Sequence, residues 1–299
     1  MELKSLTLKD RSLFEGFLKS RDHCLCVYSF ENIYIWKALF DISWQVIDEC
    51  LCVFFRDKSG CFLYVPPLGR PVDKELLNKV FTVMDGFNKN REISRIENIE
   101  EEEVGLYNLL GYLSSEKFGE YLCERDALAE LKGNKYKHKR ALCNYFTKNY
   151  VFKYSAYSGE DRDGCLGLYK SWMAERILKH DEAVYKFMLK DSLSTLETAL
   201  SNYDELRFKG NVVKIDGRIK GFTFGFELNK DIFCVLYEIA DLEIKGLSQF
   251  IFREFCRGLS QYSYINIMDD SGLPNLKEAK LSYHPLRAVR SYIIKRRDA

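Results

Sequence analysis

Two hydrophobic periods alternate along the C-terminal half of the chain, and each switch between them marks an element. Phe222, Phe224 and Phe226 alternate with Thr223, Gly225 and Glu227, the period of a strand with one buried face. Asp216-Gly217 and Asn229-Lys230-Asp231 are turn signals on either side, so the stretch from Asn211 to Ala240 is expected to form three antiparallel strands. The period then lengthens. Leu247, Phe250, Ile251 and Phe255 lie on one stripe of a helix spanning Gly246 to Leu259. An apolar, β-rich run from Tyr262 to Met268 leads into Asp269, Asp270 and a Ser-Gly turn. Pro274 sits where a first helical turn tolerates it, giving a helix from Pro274 to Leu281 and a last strand from Ala288 to Lys295.

The same reading upstream predicts helices at about Cys165 to Arg176 and Asp181 to Asn202. Nearer the start it predicts a short helix within residues 1–20, another in the aromatic run Tyr28 to Trp36, and strands over Val46 to Arg56 and Cys61 to Val65. Helical spacing covers Lys74 to Phe87 through Leu76, Leu77, Val80, Phe81 and Met84. A helix around Val104 to Leu113, a brief strand Tyr121 to Glu124 and a basic helix follow. The clearest turn-rich break is Ser158 to Gly164, so two domains are expected, 1–157 and 158–299. The class is α+β, with mixed, mostly antiparallel sheets flanked by helices.

Composition adds limits. Hydrophobic residues make up 46% and aromatics 14%, enough for a sizeable core. No apolar run approaches the ~18–20 residues of a membrane span, and the start lacks a secretory segment, so the expected location is cytoplasmic. Ten scattered cysteines lack Cys-x-x-Cys knuckles and read as reduced, buried thiols rather than a zinc site. Lys plus Arg number 45 against 44 Asp plus Glu, so no global field draws the chain to nucleic acid. Charge is instead local: Glu100 to Glu103 are acidic, and Lys132 to Arg140 is basic. Both runs also fit solvated helix faces.

The succession of helix, helix, three antiparallel strands, helix, strand, helix, strand matches the GNAT acyltransferase fold, and a shorter version of it in the first half makes a tandem pair of GNAT-like domains the economical reading. Two segments carry a closer likeness. Leu131-Lys-Gly-Asn-Lys-Tyr-Lys-His-Lys-Arg140 precedes an amphipathic helix. Tyr264-Ile-Asn266, Asp270-x-Gly272, Leu276-Lys277 and Ala279-Lys-Leu-Ser-Tyr-His-Pro285 follow later, with Tyr237-Glu238 between. In these the chain resembles the soluble proteins grouped with the C-terminal domain of bacterial phosphatidylglycerol lysyltransferase. Met268 stands where that pattern usually has an acidic residue, and Lys277 where it has Arg, a planar fork replaced by a point cation. The resemblance implies an aminoacyltransferase moving an aminoacyl group from a charged tRNA to an acceptor, a lipid head group or another amine or hydroxyl. No tightly bound cofactor is implied.

Such a reaction needs a cationic surface for RNA, a pocket for the amino acid, and groups that orient the acceptor. Lys137, Arg140, Asn144 and Lys148 fall on one helix face, with Lys135 and Lys139 nearby, and either meet tRNA or are solvated. Glu238 and Asp241 flank the end of the strand before the Gly246 helix, as general base, ammonium ligand or helix cap. Asn266, Asp269, Asp270, Lys277, Lys280 and Tyr283 form a second cluster: the two lysines to clamp an anion, Tyr283 to donate to a leaving group. The four histidines are dispersed, and no metal site is expected. Glu243-Ile-Lys-Gly246-Leu-Ser keeps one glycine of an acyl-CoA pyrophosphate loop, which disfavours a CoA-dependent N-acyltransferase as the alternative. A non-catalytic binding module on the same fold is the other alternative.

Overall fold

The computed structural model describes residues 2–179 and 182–297. In chain order the elements are β1 (Lys4–Ser5), α1 (Arg11–Leu18), α2 (Phe30–Ile35), β2 (Asp41–Ile47), β3 (Cys50–Arg56), β4 (Cys61–Leu63), α3 (Lys74–Phe87), β5 (Ile96–Glu100), α4 (Val104–Leu109) and β6 (Tyr112–Glu124). They continue with α5 (Arg125–Glu130), α6 (Lys137–Asn149), β7 (Lys153–Ala156), α7 (Arg162–Lys179), α8 (Ala183–Ser201), β8 (Lys209–Ile215), β9 (Arg218–Glu227), β10 (Ile232–Ala240), α9 (Leu247–Gly258), β11 (Tyr264–Asn266), α10 (Pro274–Leu281) and β12 (Arg287–Arg296). The chain forms two compact units, residues 1–120 with 269–276 and 288–299, and residues 121–268 with 277–287. Their limits do not follow the expected cut at 157/158. The segment from 288 onward, which carries nearly all of β12, returns to the first unit, and the basic helix α6 belongs to the second.

In the first unit the strands run β1-β2-β3-β4-β5-β12 and then the start of β6. The stripe Leu76, Leu77, Val80, Phe81 and Met84 of α3 packs on Cys52, Phe54, Cys61, Leu63 and Ile96. The Asp73 carboxylate caps α3 by accepting the Leu76 N–H at 2.8 Å. The expected single strand from Val46 is two strands. Asp48 and Glu49 both have positive φ, 46° and 65°, and join β2 to β3 as a two-residue hairpin without the usual Asn-Gly signal. Of the acidic run, Glu101 and Glu102 are exposed as expected, but Glu100 is buried in β5, as is Glu97 before it. Burial alone would raise the Glu97 carboxyl, but Lys117 (2.5 Å) and Arg95 (2.6 Å) hold it below the usual range. Burial likewise opposes ionisation of Glu100, and His23 at 2.9 Å, the Cys24 N–H at 3.2 Å and Arg21 at 3.1 Å overcome it.

In the second unit the end of β6 is followed by β11-β10-β9-β8-β7. Phe222, Phe224 and Phe226 are buried on one face of β9, as their alternation predicts. The other face carries Gly221, Thr223 and Gly225, and a β-carbon at Gly221 would lie 3.4 Å from Leu247 of α9. Small residues therefore let α9 lie close on the sheet. Helices α5 and α6 pack against α9 in turn. The helix expected from Asp181 begins outside the described residues and is seen from Ala183. None of the ten cysteines is in a disulfide, and all but Cys24 are buried. Among the described residues no helix is long and apolar enough to cross a membrane, and no group of His, Cys, Asp and Glu is placed to hold a metal ion.

Candidate functional site

Strands β10 and β11 run parallel, but they pair only over Ile232–Cys234 with Tyr264–Asn266. A bulge between Val235 and Tyr237 then shifts the register of β10 against β9 by one residue, and the pairing resumes from Tyr237 to Ala240. Glu238 lies four residues beyond the last β10–β11 pair, so it has a strand neighbour on the β9 side alone. Directly across β9 from it is Thr223, fully buried, whose hydroxyl has no hydrogen-bond partner.

Four further side chains complete the site. Ser248, in the first turn of α9, donates its hydroxyl to a Glu238 carboxylate oxygen at 2.6 Å. Lys139, on α6, lies 3.5 Å above the centre of the Tyr283 ring and donates to the Ser282 hydroxyl at 2.8 Å. Lys280 reaches back from α10 to the Ile267 carbonyl at 2.5 Å. Tyr283 is steadied from below by Phe252 of α9, edge to face at 4.8 Å, and its backbone carbonyl accepts the Tyr136 hydroxyl at 2.8 Å. Cations, a carboxylate and aromatic rings thus meet in one unit.

The electrostatics follow from burial. Desolvation pushes the Glu238 carboxyl up to about 7, against the opposing effects of the Ser248 hydrogen bond and the charges of Lys139 and Lys280. The same burial lowers the Lys139 ammonium, with Glu238 partly restoring it. It also raises the Tyr283 hydroxyl well above its ordinary value, so that group keeps its proton and acts as a donor. A carboxyl poised near neutrality both takes and returns a proton without a large energetic step.

One glycine fixes how closely α6 approaches. Gly246 precedes α9 with φ of 86°, and a β-carbon there would stand 2.2 Å from the Leu142 carbonyl oxygen. The turn before α9 is therefore covered by a backbone oxygen of α6.

The structure brings Glu238, Lys139, Lys280 and Tyr283 together. The other residues singled out in the sequence are placed differently. Asp241 is tied to Lys220 at 2.7 Å and accepts the Glu243 N–H at 3.0 Å. Asn266 is buried and accepts the Met268 N–H at 2.7 Å, shaping a turn in which Met268 has φ of 64°. Asp269 and Asp270 accept the N–H groups of Ser271 and Gly272, at 2.6 and 2.9 Å. Lys277 is exposed.

The basic segment divides. Lys135, Lys137, Asn144 and Lys148 are exposed. Arg140 leaves that face to bind the carbonyls of Leu131 and Gly133, the latter at 2.6 Å, clamping the loop in which Leu131 and Gly133 have positive φ. Lys139 turns inward. Ser248 went unnoticed in the sequence, although it lies at the start of the helix that follows Glu238. A polar residue there, two places after a lone glycine, was the available signal.

Similarity to known proteins agrees with this architecture. A conserved protein of unknown function from Bacteroides thetaiotaomicron superposes with a TM-score of 0.86 at 28% identity, over 98% of this chain and 99% of that one. L-PGS from Bacillus licheniformis gives 0.67 at 15% identity, over 97% and 93%. A tandem GNAT protein from the clavulanic acid biosynthesis pathway gives 0.51 at 8%, over 98% and 97%, and the fold is GNAT-like and α+β. No curated protein sequence matches the chain. Residues 22–295 match the model of the family described as phosphatidylglycerol lysyltransferase, C-terminal, and the chain belongs to that family.

Proposed function

We propose that this member of the phosphatidylglycerol lysyltransferase C-terminal family is an aminoacyltransferase, built on two tandem GNAT-like domains, that takes its aminoacyl group from a charged tRNA. The acceptor is an amine or hydroxyl, with a lipid head group favoured by the family. The observation that carries this reading is the Glu238 carboxyl, held near pH 7 between Ser248, Lys139 and Lys280.

The chemistry is acyl transfer from an ester to a hydroxyl or amine. The acceptor hydroxyl or amine attacks the aminoacyl carbonyl carbon and gives its proton to Glu238 as the new bond forms. Lys139 and Lys280 offset the negative charge that gathers on the carbonyl oxygen. The bond to the tRNA ribose oxygen then breaks, and that oxygen recovers the proton from Glu238, with the Tyr283 hydroxyl available as a hydrogen-bond donor to it. Ser248 holds the carboxylate in register throughout. The exposed Lys135, Lys137 and Lys148 suit a phosphate backbone.

Acyl-CoA is the weaker donor on physical grounds. Its pyrophosphate would need free N–H groups at the turn before α9. That turn is backed by the Leu142 carbonyl, which repels an anion, and Ser248 is already committed to Glu238. The test is transfer of labelled amino acid from total aminoacyl-tRNA to phosphatidylglycerol vesicles or to small amines, with and without Glu238→Gln. Transfer that disappears in the variant is expected. No transfer from tRNA, together with acyl transfer from CoA, would sink the reading.

A further inference from the structure

Thr223 stands directly across from Glu238 in the β9–β10 ladder, so both side chains rise from the same face of the sheet, the one that α9 covers. In an antiparallel pair the facing β-carbons lie about 4.5–5.5 Å apart, within the span of a glutamate side chain. Thr223 is fully buried, and its hydroxyl has no hydrogen-bond partner. Valine has the same shape and no polar group to desolvate, so a hydroxyl at this place calls for an explanation.

The groups around Glu238 are donors. Ser248 of α9 donates to the carboxylate, which suits its ionised form. Lys139 of α6 and Lys280 of α10 bring positive charge and can only donate. Burial keeps the proton on the Tyr283 hydroxyl and on the Cys256 thiol of α9, and Asp241, at the end of the same strand pair, is tied to Lys220. A protonated Glu238 carries an O–H of its own, and that O–H needs an acceptor. The Thr223 hydroxyl oxygen has lone pairs to offer it.

We propose that Thr223 holds the protonated form of Glu238: after taking a proton from the acceptor, the carboxyl turns back across β9 and donates its O–H to the Thr223 hydroxyl oxygen, until it returns the proton to the ribose oxygen. The proton stays on Glu238 throughout, and only a hydrogen bond is made and broken. The Thr223 hydroxyl is vacant while the carboxyl faces Ser248 and engaged while the carboxyl is neutral. Thr223 touches no substrate and is a positioning residue. The inference rests on Glu238 as the proton carrier of the proposed transfer.

An acceptor for the acid form raises proton affinity, so removing it lowers the midpoint of the Glu238 titration. The test is a carbon-13 NMR titration of the full chain labelled at its glutamate carboxyls, with the Glu238 resonance identified by its loss in Glu238→Gln. Thr223→Val is expected to lower the midpoint by about one pH unit, an about tenfold loss of proton affinity, and Thr223→Ser to keep it. An unmoved midpoint in Thr223→Val, with a raised melting temperature, marks an idle hydroxyl and overturns the proposal. An upward shift marks a donor to the ionised form and overturns it too. Should Thr223→Val melt early, Thr223→Ala removes the same oxygen and decides by the same midpoint. The titration uses no substrate, so a chain that transfers nothing from aminoacyl-tRNA defeats the aminoacyltransferase reading and leaves this measurement to stand or fall by itself.

Discussion

Glutamates with desolvated carboxyls sit on strands of both units, Glu97 and Glu100 buried and Glu238 half-buried, and they are treated in opposite ways. Glu97 and Glu100 in β5 are each met by cations and further donors, and both are held ionised below the ordinary range. Glu238 in β10 has one hydroxyl within hydrogen-bonding distance and is pushed up to about 7. A carboxylate whose partners are complete holds the chain together. One that is left under-partnered costs stability, and its raised proton affinity is available for chemistry.

The comparison breaks first if Glu238→Gln is harmless. Aminoacyl transfer should fall by about 10²–10⁴, the usual contribution of a general base, while the denaturation midpoint holds or rises because a neutral amide needs no desolvation. A parallel assay and urea melt read both quantities. The converse substitution, Glu100→Gln, should leave transfer nearly intact. It should cost about 3 kcal/mol in the same melt, because Arg21 and His23 lose their carboxylate.

Acidity sharpens the contrast because the two sets have opposite signs. The fold binds the Glu238 proton more tightly than the unfolded chain does. Its share of stability is thus complete below the ordinary 4.5 and lost as pH rises to about 7, on the order of 2–3 kcal/mol. Glu97 and Glu100 contribute above the ordinary range and lose that contribution as acid protonates them below it. Melts between pH 3 and 8 should therefore lose the high-pH decline in Glu238→Gln and keep the acid decline.

The smallest effect concerns the outer face of α6. Lys137→Ala and Lys148→Ala should each lower the salt slope of tRNA binding by about 1 with little change in melting, whereas Arg140→Ala should loosen the Leu131–Gly133 loop and lower the melting temperature. Filter binding across a salt series and a thermal melt separate the two.

Much of this was legible from spacing. The stripes of α3 and α9 and the alternation of β9 gave their elements directly, because one face of each is apolar. Glu238 stood out by its place at the end of a strand before a lone glycine. Other features depend on contacts distant in sequence. Glu100 looked solvated because its partners, Arg21 and His23, lie 79 and 77 residues away. Lys139 was grouped with the outer lysines, yet it stands four and seven residues before Cys143 and Phe146, both buried, and so shares the inward stripe. Asp48-Glu49 makes a hairpin with residues that seldom signal one, and cross-strand pairing, not local preference, imposes it.

The fit of Gly246 beneath the Leu142 carbonyl makes α6 a lever as well as a charged surface. No slack separates that carbonyl from the turn that starts α9, and Ser248 lies two residues further on. Lys137 and Lys148 stand on the outer face of a helix that cannot slide inward past this turn. If a polyanion engages that face, the structural route to Glu238 runs through this turn and the Ser248 hydroxyl, and a shift in the pH dependence of transfer with salt would be its signature.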